Sequence, residues 1–199
     1  MTASYFNPQQ EDVLKELINM SFGLSASLIG DMLENHARLH IPDISNIAIH
    51  NLDAKIIEVL GDESDFYLTK LRFLGSFHGE VLFVFTDETA RAFCDMLLKQ
   101  ENSDESDIKS SILELTNIIT SACIGKFCEI IHGETIFKVP SIEKRSALEM
   151  DKYDPIEGYD NVIVIKTALD IEKENILGHM FILLNDEMLE QLKTTMDNL

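Results

Sequence analysis

The chain has 199 residues, 45% apolar and 26% charged, a balance that suits a globular protein of one domain or two small halves. Its net charge of −19 argues against nucleic acid and anionic lipid as partners, because phosphate contacts need Lys and Arg. With no apolar run of about eighteen residues no membrane insertion is expected, and MTASYFNPQQ at the start has neither the basic nor the apolar stretch of a secretory signal, so a cytoplasmic location is expected.

In chain order, the first predicted element is a long helix over residues 8–36, with Asn7 as N-cap and Pro8 in the first helical position. β-rich pieces follow at Ile47–His50, Ala54–Leu60, Phe66–Leu74 and Val81–Phe85. The stretch Thr86–Gln100 reads as a helix with an acidic first turn. ENSDESD (Glu101–Asp107) is a polar junction that also caps a second long helix running to about Ile131. Strands are expected near Ile142–Leu148, Asn161–Leu169 and Leu177–Leu184, a loop over Asp151–Asp160 from its Pro and Gly, and a last helix over Asp186–Asp197.

This order repeats. A shift of 98 carries Glu16 onto Glu114, Asn19 onto Asn117 and Pro42 onto Pro140, while Asp12 lands on Ser110. A shift of 99 aligns HGEVLFVFTDE (from His78) with LGHMFILLNDE (from Leu177). Residues 8–100 and 106–198 thus form two halves of helix, about three strands and helix, within a single domain. Each half is small for independent stability, which favours strands joined in one sheet of an α+β protein.

On a helical wheel, Leu14, Leu17, Ile18, Leu24, Leu28, Ile29 and Met32 form the expected core face of the first helix. Asp12, Glu16, Asn19, Gly23, Ser27 and Gly30 form an outward stripe about 80° wide. In the second helix Ile112, Leu115, Ile119, Ala122, Cys123, Phe127 and Ile130 face inward, and Ser110, Glu114, Asn117, Ser121, Gly125 and Cys128 line the stripe. Gly and Ser lower helix stability and add nothing to an exposed face, but they let another backbone come close. A plain solvated face is the competing reading for either stripe alone; its repetition in a second helix weighs against that.

Other features carry less. Cys94, Cys123 and Cys128 form no zinc pattern and read as reduced, buried thiols. His36 and His40 have helical metal spacing, but no Glu completes an H-E-x-x-H motif.

The full spacing is D/S-x3-E-x2-N-x22-P, and four matches at one start position arise by chance on the order of 10⁻⁵ from average residue usage. It resembles the signature of the CheC/CheX/FliY phosphatases of bacterial chemotaxis. The resemblance spans the chain, and two sites in one unaccompanied domain are most like CheC. It implies a CheC-like α+β fold with a mostly antiparallel sheet shared by the halves, and an enzyme that hydrolyses the aspartyl phosphate of the receiver CheY. Asn19 and Asn117 would then position the attacking water, Glu16 and Glu114 would anchor the receiver through its active-site lysine, and Asp12 and Ser110 would support them. Gly23, Ser27, Ser121 and Gly125 would form the docking surface. Mg²⁺ would come with the receiver, leaving no metal site of the chain's own. A non-catalytic module of the flagellar switch, or an adaptor for the deamidase CheD, is the alternative.

Overall fold

The structure is a computed structural model that describes residues 6–33, 37–61, 65–146, 161–171 and 176–197. Helix α1 (Pro8–Leu33) starts on a capping box, in which Asn7 Oδ1 accepts from the Gln10 amide at 2.9 Å and Gln10 Oε1 accepts from the Asn7 amide at 3.1 Å. The remainder of the expected helix, residues 34–36, falls outside the described residues. Strand β1 (Ala37–Ala48) follows, then a 3₁₀ turn (Ile49–Asn51) and helix α2 (Leu52–Leu60).

Helix α2 corrects the strand expected over Ala54–Leu60. Its β-branched residues suggest a strand, but Leu52, Ile56 and Leu60 recur every fourth residue and all three are buried. That helical period decides the outcome. Strands β2 (Asp65–Gly75) and β3 (Gly79–Thr86) and helix α3 (Asp87–Leu98) complete the first half. The second half holds α4 (Glu105–Ile130), β4 (Thr135–Phe137), β5 (Ser141–Ser146), β6 (Asn161–Ile171), β7 (Ile176–Leu184) and α5 (Asp186–Met196). The expected loop over Asp151–Asp160 lies outside the described residues. Asp104 caps α4 as the junction predicts, its Oδ1 accepting from the Asp107 amide at 2.9 Å.

Among the described residues, seven strands join one sheet in the order β1-β6-β7-β3-β2-β4, with β5 also on β2, and every pairing is antiparallel. The halves exchange strands: β1 of the first pairs with β6 of the second, and β4 and β5 of the second pair with β2 of the first. Leu82 pairs with Phe181, its own counterpart since 82 + 99 = 181, so the pseudo-twofold passes between β3 and β7.

One sheet face carries a core built from α1, α3, α4 and α5, with Phe73, Phe83, Phe85 and Met180 beneath them. The other packs Leu82, Val84, Val164 and Phe181 under α2. Ser25 Oγ and Cys123 Sγ touch at 2.9 Å, and they too are counterparts, since 25 + 98 = 123. Ile18, Ser21 and Phe22 meet Cys123, Ile124 and Phe127 around a small apolar void. Earlier residues of α1 thus face later residues of α4, so the two long helices cross antiparallel at the twofold.

Pro42 and Pro140 interrupt strands. The β1–β6 register shifts between His40 and Asp43, and at the equivalent place the chain breaks into β4 and β5 on either side of Lys138–Pro140. Proline has no amide hydrogen to give the ladder, which breaks there in both halves. His40 therefore lies on a strand, where helical ligand spacing does not apply, and His36 falls outside the described residues.

Candidate functional site

Two apolar stripes hold α1 and α4 to the sheet, and this fixes which residues face out. On α1, Leu14, Leu17, Ile18 and, beyond the expected set, Ser21, Phe22 and Ser25 are buried. The two serines satisfy their hydroxyls on the preceding turn, donating to Leu17 O at 2.8 Å and Ser21 O at 3.1 Å. Leu28 corrects its core assignment: at 44% exposure it sits on the flank of the face. The side chains of Leu24, Ile29 and Met32 lie outside the described residues.

The opposite side presents Asp12, Glu16, Asn19, Gly23 and Ser27, all exposed. On α4, Ser110, Glu114 and Asn117 are exposed, and Ser121 and Gly125 are half-buried. Among the described residues, the side chains of Glu16, Asn19, Glu114 and Asn117 take part in no hydrogen bond or ion pair. Neither Asn caps a helix and neither Glu anchors a neighbour, so folding gives these residue types no evident task. Ser121 donates back to Asn117 O within its own helix.

The glycines sharpen this. A Cβ built on Gly23 or on Gly125 meets no heavy atom within 4 Å. In mid-helix each costs about 1 kcal/mol relative to Ala, and no neighbour among the described residues requires it. Cys128 departs from its place on the wheel and is buried. At the end of α4 the chain turns back, with the Gly133 amide bonding Cys128 O at 2.8 Å. All three cysteines are buried and form no disulfide, and burial pushes the Cys128 thiol up to about 11 and the Cys123 thiol up to about 12.

Asn19 precedes Ser25 by six residues, as Asn117 precedes Cys123. At about 1.5 Å per residue the two amides lie about 9 Å to either side of the helix crossing, about 18 Å apart along the helices. Each Glu stands nearly one turn farther out. The second pair borders an open cleft of about 560 Å³, between Leu113, Glu114 and Asn117 on one side and Phe137–Pro140 on the other. The sequence reading located Pro140 but missed this wall, because a three-residue strand such as β4 is too short to show a period. No cluster of three or more His, Cys, Asp or Glu placed to hold a metal occurs among the described residues.

The same architecture occurs in solved structures. FliY of Thermotoga maritima is similar at TM-score 0.77 and 12% identity, over 97% of this chain and 98% of that one. The FliM middle domain of H. pylori matches at TM-score 0.60 and 14% identity, over 96% and 99%. A chemotaxis protein CheX from Desulfovibrio desulfuricans matches at TM-score 0.54 and 13% identity, over 84% and 99%. At such identities these likenesses establish the fold. The family model described as chemotaxis phosphatase CheX matches residues 67–159, a stretch that contains Glu114, Asn117 and Pro140. The chain thus has the fold seen in FliY, the FliM middle domain and CheX, and residues 67–159 of it are similar to the CheX family.

Proposed function

We propose that this chain is a phosphatase that hydrolyses the aspartyl phosphate of a CheY-type receiver. The observation that carries the reading is the pair of unengaged Glu–Asn sets on two twofold-related helices, each facing out. An acyl phosphate is already reactive, and its hydrolysis calls mainly for a water held in line with the leaving oxygen. A carboxamide suits this: its oxygen accepts a hydrogen bond from water, its NH₂ donates, and being neutral it does not repel phosphoryl oxygens. Asn19 and Asn117 therefore act by positioning, not as general bases.

Glu16 and Glu114, about one turn away on the same faces, pair with a receiver cation and fix the register of the amides. Asp12 and Ser110 support them one turn earlier. Gly23, Ser27, Ser121 and Gly125 allow close approach of the receiver's backbone. In this reading Mg²⁺ is held by the receiver's own acidic residues and neutralises developing charge on the phosphoryl group.

Likeness to the FliM middle domain favours a second reading, a module that binds its partner without chemistry. An adaptor role toward CheD is a further form of it, with no residue assigned. Adding the chain to a phosphorylated CheY-type receiver and timing phosphate loss separates them. The phosphatase shortens the phosphate's lifetime at catalytic concentrations, whereas a binding module leaves it unchanged or lengthens it.

A further inference from the structure

The cleft at the second Glu–Asn pair contains two side chains that the proposed chemistry does not use. Val139 is 91% exposed, the highest value among the described large apolar residues. Lys138 beside it is exposed and is the one cation among the residues lining the cleft. Among the described residues it makes no ion pair. In a chain of net charge −19, a cation left unpaired next to Glu114 and Asn117 has a specific electrostatic consequence, because it makes the rim locally attractive to anions.

The segment is braced. The Lys138 amide donates to Arg72 O at 2.9 Å, Phe137 packs against the main core, and Pro140 restricts the backbone beyond. Strands β4 and β5 hold it on β2 from both sides. Side chains presented on a braced backbone lose little freedom when a partner covers them. The repeat puts His40 and Ile41 at the corresponding positions of the first half, so the lysine is particular to the second.

We propose that Lys138 and Val139 form a docking finger for the phosphorylated receiver at the second site. Lys138 meets the anionic groups around the phosphorylated aspartate, and Val139 is buried against an apolar part of the same receiver surface. The occupant follows from charge complementarity and from the cleft being shared with Glu114 and Asn117. The inference rests on the phosphatase reading above.

The test uses the full chain carrying Asn19→Ala, so that the second site alone turns over, with a CheY-type receiver phosphorylated by a small-molecule donor. In that background Lys138→Gln raises KM about fivefold and Lys138→Glu about tenfold, with kcat within about twofold. Lys138→Arg restores KM, and Val139→Asp raises it. Salt weakens kcat/KM of the background more steeply than that of Lys138→Gln. Melting curves stay unchanged because both residues are exposed. A Lys138→Glu variant with the background's KM and salt dependence overturns the docking role while leaving the phosphatase reading intact. A background that does not shorten the phosphate's lifetime overturns second-site turnover, and the docking role with it.

Discussion

Replacing Gly23 and Gly125 with alanine together sets the needs of the fold against those of the site. Both positions lie inside long helices, and an added Cβ meets nothing within 4 Å at either. Alanine there narrows the unfolded ensemble without strain, which stabilises by about 1 kcal/mol per position and about 2 kcal/mol for the pair. Unfolding entropy of about 2.1 cal/mol/K per residue over 199 residues is about 0.4 kcal/mol per kelvin, so the melting temperature rises by about 5 °C. If these stripes dock the receiver as proposed, the same methyl groups obstruct it, and turnover of a phosphorylated receiver falls severalfold through KM. Calorimetry and phosphate-decay kinetics on one preparation read both effects. A variant that fails to gain stability shows that the fold requires these glycines. A variant that gains stability and keeps its KM refutes the docking stripe.

Two further outcomes follow from the core. Thr69 and Thr116 share a buried hydrogen bond of 3.0 Å, so Thr116→Val leaves the Thr69 hydroxyl unpaired at a cost of about 1–3 kcal/mol. Adding Thr69→Val recovers much of that loss in a double-mutant cycle followed by urea unfolding. Burial raises the Cys123 and Cys128 thiols from an ordinary value of 9.0 to about 12 and about 11. The native state keeps protons that the unfolded chain releases, so their contribution is intact below pH 9 and is lost as pH rises toward those values. Cys123→Ala flattens the fall in stability as pH rises from 9.0 toward about 12, and native thiols stay closed to aqueous thiol reagents that label all three in urea.

Local signals in the sequence were good guides wherever the deciding interaction is itself local. Asn7-Pro8 and Asp104 start helices because their side chains accept from amides three residues on. The duplicated Glu, Asn and Pro spacing located both stripes, since helical geometry alone determines which residues share a face. The failures lie where contacts distant in sequence decide. The exchange of β1 and of β4–β5 between halves depends on pairing across the twofold, which no window of sequence contains. Ala54–Leu60 has strand-like residues, but one sheet face needed a cover and Leu52, Ile56 and Leu60 supply it as a helix. Cys128 has the wheel position of an exposed residue but is buried in the main core, at the end of α4 where the chain turns back on itself.

In the proposed function Asn19 and Asn117 each place a water for attack on a receiver's aspartyl phosphate. Phosphate decay timed with Asn19→Ala, Asn117→Ala and the double variant tests it most directly, with receiver binding measured on the same proteins. Each single variant keeps partial activity, the double variant leaves decay at the receiver's own rate, and binding and melting temperature are preserved in all three. A double variant that keeps full activity contradicts it.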